Sequence, residues 1–145
     1  MPVSVRRIEL WRSEVANRPG TLAGVLASLA EVGADLRLVM VYRFPGDESR
    51  GAVELYPVTG KRARATAQSS GLSESGIPTL LVEGDDRPGT GAGIARSIAE
   101  AGINLAFLVA QVVGRRYSAV IGFDSEADAK KAAGLIKRVR APKRG

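Results

Sequence analysis

The sequence predicts an α+β protein built from two copies of one strand-helix-strand-strand-helix unit. The first observation behind this is a phrase stated twice: Asn17-Arg18-Pro19-Gly20-Thr21 and Asp86-Arg87-Pro88-Gly89-Thr90. A shift of 69 positions (86 minus 17) lays residues 17–41 on residues 86–110, and eleven of those twenty-five pairs are identical. Self-similarity at a fixed period marks a chain assembled from repeated units. The second observation is that the hydrophobic period switches after each phrase from the three- and four-residue steps of a helix to the alternation of a strand. The third is length: 145 residues hold two units of roughly 70, each too small to bury much core alone, so the two are expected to share one body.

Taken in order, residues 5–15 read as a strand, with Val5, Ile8, Leu10 and Trp11 among charges and an alternation irregular enough for an edge or a bulge. In the Asn17 phrase, proline presets a first helical turn, and an Asn or Asp just ahead can accept its unpaired amides. The helix carries Leu22, Val25, Leu26, Leu29 and Val32 on one stripe, and Gly33 closes it with a left-handed cap. Leu36, Leu38, Met40, Tyr42 and Phe44 alternate along a second strand, with Arg37 and Arg43 opposite. Pro45–Gly51 turns the chain, Val53, Leu55 and Val58 form a third strand, residues 61–70 a weakly apolar helix, and Gly71–Gly76 a linker.

The second unit repeats the order. Residues 79–84 form a strand; Ile94, Ile98 and Ala101 mark a helix that Gly102 ends; Ile103, Leu105, Phe107 and Val109 share a strand face. A tight turn at Gly114-Arg115 leads to Tyr117, Ala119, Ile121 and Phe123 at period two. Ser125, with Asp128 three residues on, starts a helix whose apolar face is Ala129, Ala132, Ala133, Ile136 and Val139.

Composition narrows the function. The chain has neither histidine nor cysteine, which removes imidazole acid-base chemistry, thiol nucleophiles and the usual zinc ligands. Asp85-Asp86 are sequence neighbours whose side chains diverge, and Gly89-Thr90-Gly91-Ala92-Gly93 lacks the spacing of a dinucleotide loop. An enzyme is therefore not expected, nor is a metal or cofactor. The longest apolar run, Ile103–Val113, is too short to span a bilayer, and no secretory signal opens the chain, so a cytoplasmic protein is expected. Of the net charge of +6, most comes from Lys137, Arg138, Arg140, Lys143 and Arg144, which lie after the last acidic residue, Asp128. Such cations suit a helix C-terminus, and they also allow weak, salt-sensitive nucleic-acid binding.

The [D/N]-R-P-G-T phrases, followed by Ala30-Glu31-Val32-Gly33-Ala34-Asp35-Leu36 and Ala99-Glu100-Ala101-Gly102-Ile103-Asn104-Leu105, resemble the ACT domain family over nearly the whole chain. The resemblance implies two ferredoxin-like units, residues 1–77 and residues 78–145 with the basic tail, packed side by side about a pseudo-twofold axis. It also implies a regulatory role and an amino acid or other small effector bound where two units meet. The family adds a fourth strand after the second helix, and here that strand is short, missing or exchanged between units.

Two ligand sites follow. The strands flanking the first helix of a unit run parallel, so a helix of about 13 residues separates the loop from the start of the next strand by roughly 20 Å. If the units pack about the pseudo-twofold axis that the resemblance implies, the loop of one unit can face the strand start of the other. One site combines Asn17, Arg18, Pro19, Gly20, Thr21 and Leu22 with Asn104 and Leu105; its neutral amides beside free helix amides suit a zwitterionic amino acid. The other combines Asp86, Arg87, Pro88, Gly89, Thr90 and Gly91 with Asp35 and Leu36, and its two carboxylates suit an ammonium group. Glycines at 89, 91 and 93 would let a ligand approach the helix start. The leading expectation is a stand-alone amino-acid sensor acting through a homo-oligomer, a dimer, or through a regulated metabolic enzyme. The alternative is an assembly module without ligand, and the third reading is nucleic-acid binding by the tail.

Overall fold

The computed structural model describes residues 3–139. In chain order its elements are β1 (Ser4–Ile8), β2 (Trp11–Ala16), α1 (Thr21–Glu31), β3 (Leu38–Phe44), β4 (Asp47–Tyr56), α2 (Lys61–Ser69), β5 (Ser73–Glu74), β6 (Thr79–Asp85), α3 (Thr90–Glu100), β7 (Leu105–Val113), β8 (Arg116–Phe123) and α4 (Glu126–Ile136). They divide into two compact units. One runs from Glu9 to Gly76; the other joins the chain up to Ile8 to the chain from Ile77 onward. Each unit is an antiparallel four-stranded sheet with two helices, the ferredoxin-like α+β arrangement the repeats predict.

The irregular stretch 5–15 is two strands rather than one. β1 pairs antiparallel with β6, from Ser4 opposite Glu83 to Ile8 opposite Thr79, whereas β2 pairs with β4 and β5 in the other sheet. The change of sheet at Glu9-Leu10 breaks the alternation, because each strand answers to a different core. The fourth strand is thus short in one unit, where β5 pairs only Ser73 and Glu74 with β2, and exchanged in the other, where the N-terminal strand occupies the edge.

In the Glu9–Gly76 unit the sheet order is β3-β4-β2-β5. Val25 and Leu29 of α1 and Ala63 and Ala67 of α2 pack with Trp11, Val53 and Leu55 of the sheet. Filling such a position with leucine or valine contributes roughly 1.5–3 kcal/mol through the surface removed from water. Because Val53 and Leu55 face the helices, their partners Val41 and Val39 share that face. The expected stripe Leu38, Met40 and Tyr42 lies opposite Tyr56, Glu54 and Ala52 on the other face. The turn between β3 and β4 is only Pro45-Gly46, with Gly46 at φ 83° as a type II turn requires, so β4 begins earlier than the polar composition of 47–51 suggests.

The other unit has the order β1-β6-β8-β7 and a core of Leu80, Val82, Ile94, Ile98, Ile103, Tyr117, Ala119, Ile121, Phe123, Ala129, Ala132 and Ile136. Ser125 caps α4 by accepting a hydrogen bond from the Asp128 amide at 3.0 Å, as its spacing predicts. Gly114 takes φ 61° at the first central position of the β7-β8 turn. The expected single face of Ile103, Leu105, Phe107 and Val109 is not kept. The register shifts between Leu105 and Phe107, so Phe107 moves to the face away from the helices, opposite Gly122. Both first helices end in the same cap: Gly33 N and Ala34 N donate to Ala30 O and Leu29 O, and Gly102 N and Ile103 N to Ala99 O and Ile98 O. Of the basic tail, Lys137 and Arg138 are exposed, and Arg140, Lys143 and Arg144 lie outside the described residues.

A Cβ at Gly122 would run into the Phe107 ring. Gly122→Ala should therefore cost about 1–3 kcal/mol, read as a lower urea midpoint at unchanged slope. The exchanged strand is tied to α4 by Arg7, whose Nη2 lies 2.5 Å from Glu126 Oε1. That hydrogen bond holds the exposed Glu126 carboxyl below its ordinary value. A depressed folded-state value contributes stability above the unfolded-state value and loses it as pH falls through the folded one. Amide exchange along β1 should accordingly quicken, relative to Arg7→Ala, as pH drops below the ordinary glutamate range.

Candidate effector loops and groove

Both repeated phrases are moored in the same way. Asn17 N donates to Ser49 O and Asp86 N to Arg115 O, each at 2.8 Å, so each loop lies against the hairpin of its own unit. Asn17 adds a bond from Nδ2 to Glu48 O at 2.8 Å, leaving its Oδ1 as an acceptor. The Asp86 carboxylate has no side-chain partner among the described residues. The loops do not cap their helices through Asn17 or Asp86, as the sequence suggests. The cap positions are Gly20 (φ 91°) and Gly89 (φ 86°), with no side-chain cap bond. At Gly20 a Cβ would meet nothing within 4 Å, so backbone conformation rather than space calls for glycine.

The threonines brace the loops from within. Thr21 Oγ1 donates to Ala16 O at 3.2 Å, and Thr90 Oγ1 donates to Arg87 O at 2.9 Å. Arg18, Pro19, Arg87 and Pro88 are exposed, while Leu22 packs against the core. Thr21 N and Thr90 N donate to Arg18 O and Arg87 O, and Gly24 N and Gly93 N to Gly20 O and Gly89 O, so the amides between them, of Leu22 and Ala23 and of Gly91 and Ala92, are the ones available to an anion. The later glycines of α3 face their own unit. A Cβ at Gly91 would meet the Tyr117 hydroxyl at 3.4 Å, and one at Gly93 would meet Val139 Cγ1 at 3.0 Å. Burial raises the Tyr117 phenol above its ordinary value, which keeps that hydroxyl a neutral donor.

Asp35 and Asn104 follow the helix caps at the far end of each sheet. Asn17 is tied beside Ser49 of β4, and Arg37 N bonds Tyr56 O at 2.8 Å at the other end of the same strand. Seven residues of strand separate those anchors, roughly 23 Å. Asn17 and Asp35 therefore lie apart within one unit, as the helix length predicts. In the other unit, Asp86 lies by the β7-β8 turn, while Asn104 precedes Leu105, which pairs with Phe123 at the opposite end of β8. Asn104, Leu105 and Asp35 are exposed, and Leu36 packs on the core.

Two features were not singled out by sequence. An open groove of about 400 Å³ lies beyond the C-terminus of α1, lined by Ala34, Asp35, Arg37, Tyr56, Pro57 and Thr59 among others. The duplication holds its only sequence signal: where the first repeat has Ala34 and Arg37, the second has Ile103 and Ala106. The other feature is Glu54, 2% exposed on the sheet face away from the helices. Its Oε2 accepts from the Tyr42 hydroxyl at 3.0 Å, and Arg12 Nε lies 4.0 Å from Oε1. Burial, with the Glu54 charge adding to it, pushes the Tyr42 phenol up against the opposing Arg12 hydrogen bond.

Asn17→Ala removes one loop anchor without touching the core. It should cost about 0.5–1.5 kcal/mol in chemical denaturation and speed exchange of the Ser49 and Asn17 amides.

No family model matches the sequence, and no curated protein matches it. Solved structures do. Protein BT0572 from Bacteroides thetaiotaomicron superposes with a TM-score of 0.73 at 12% identity, over 93% of this chain and 99% of that one. The regulatory subunit of aspartate kinase from Thermus thermophilus, in its ligand-free form, gives 0.64 at 17% identity, over 96% and 97%. That from Thermus flavus gives 0.57 at 17% identity, over 94% and 97%. At such identities the likeness is one of fold, and the fold of each unit of this chain is of the ACT type.

Proposed function

We propose that the chain is a non-catalytic regulatory protein that senses an amino acid where its two units meet. The observation that carries this is that each unit moors its loop at one end of the sheet and starts its second strand at the other. A unit alone presents half of each proposed ligand set, so each site would need residues from both units. The Asn17 loop would then face Asn104: the free amides at the start of α1 would take the effector carboxylate, and Asn17 Oδ1 with the Asn104 side chain its ammonium group. The Asp86 loop with Asp35 would form the second, acidic set. The fold shared along nearly the whole length with regulatory subunits of aspartate kinase supports a chain that acts on a metabolic enzyme rather than by catalysis, as does a sequence with no histidine or cysteine. No helix among the described residues is long and apolar enough to cross a membrane, which fits the proposed cytoplasmic setting.

A specific observation favours the assembly module as second reading. The edge strand β7 exposes Leu108, Val112 (47%) and Val113 (65%), an apolar edge suited to pairing with a second copy. The thermal melt of the purified chain against the twenty amino acids separates the two. An effector at a hundred times its dissociation constant adds about 2.7 kcal/mol and raises the melt by several degrees. Asn104→Ala should lower that effector's affinity at least tenfold. No shift with any amino acid would favour the assembly module.

A further inference from the structure

We infer that the groove beyond α1 is a further small-molecule site, complete within the Glu9–Gly76 unit, for a compound carrying both an ammonium and a carboxylate group. Asp35 and Arg37 both line it. Among the described residues, neither makes a side-chain hydrogen bond or ion pair. They stand two apart in the short connection between the cap of α1 and the start of β3. Arg37 is held in place by the bond from its amide to Tyr56 O, which ties the segment to the end of β4.

The lining offers both charges a zwitterion needs. The carbonyl end of α1 adds its negative pole to the Asp35 carboxylate, and both favour an ammonium group. The Arg37 fork, also in the lining, favours a carboxylate. Pro57 and Ala34 add apolar lining, and Thr59 and Tyr56 offer hydroxyls. The volume of about 400 Å³ falls in the range of small-molecule sites.

The duplication argues that the opening is specific to this repeat. Both helices end in the same left-handed cap, and the next residue packs back towards the helix. In the second repeat that residue is Ile103, buried in the core; in the first it is Ala34, which leaves room. Ala106 stands where Arg37 supplies the cation. One repeat therefore sets both charges beside an open groove, and the other has a buried Ile103 and an Ala106 at the equivalent positions.

The test is an amide-resolved NMR titration of the intact chain with each of the twenty L-amino acids. Saturable shifts confined to residues 33–37 and 56–59 are expected, weakened at least tenfold by Arg37→Gln and by Asp35→Asn. The amine lacking the ligand's carboxylate should bind the intact chain at least tenfold more weakly, yet bind Arg37→Gln as well as the amino acid does. Ala34→Ile, which installs the residue of the second repeat, should abolish the shifts while leaving the melting temperature in place. Asn104→Ala and Asp86→Asn should each leave them unchanged, so failure of either proposed site between units and failure of this one are separable. No shifts in these segments with any amino acid, or equal affinity in the Arg37, Asp35 and Ala34 variants, would overturn the assignment.

Discussion

An open strand edge carries a row of backbone donors and acceptors that only another strand can pair well. In the unit that follows Ile77, that need organises the fold. β6 is bordered by β8 on one side, and nothing after α4 among the described residues supplies a strand for the other. The N-terminal strand fills the place, five residues in antiparallel register, secured by Arg7 against Glu126. The unit before it is closed by two residues, Ser73 and Glu74. A single polypeptide thereby completes two sheets with one strand borrowed from the far end of the chain.

Duplication then set two copies of one frame to diverge. The frame itself is shared: a left-handed glycine at the helix start, a loop moored to the hairpin by its first amide, and a left-handed glycine cap at the helix end. What differs lies in side chains that the frame does not need. Asn17 spends its amide hydrogen on Glu48 O, whereas Asp86 has no hydrogen to give. Ala34 leaves a groove where Ile103 fills a core. Binding chemistry has room to change at such positions because the hydrogen bonds that hold the loops come from the backbone.

Much of this was legible in the residues. Gly33 and Gly102 close their helices, Ser125 caps α4, and Gly114 turns β7 into β8, because each rests on local conformation that a few neighbouring residues determine. The separation of loop from strand start followed from helix length alone. Less legible were features set by partners distant in sequence. The exchange of β1 depended on an edge more than 70 residues away, and the irregular alternation of 5–15 recorded it only as noise. The face of Phe107 depended on a bulge, and the burial of Glu54 on a sheet face that its own strand does not define. The groove was written in the difference between the repeats, at Ala34 and Arg37, rather than in any motif.

The sequence by itself determined the duplicated α+β plan, its helices and caps, and the residue types at each loop, because periodicity and glycine conformation act over a few residues. The tertiary structure decided which strand closes each sheet, which way the edge strands face, and where space remains beside Asp35 and Arg37. Those outcomes depend on pairing and packing between segments far apart in the chain, and no short stretch carries that information.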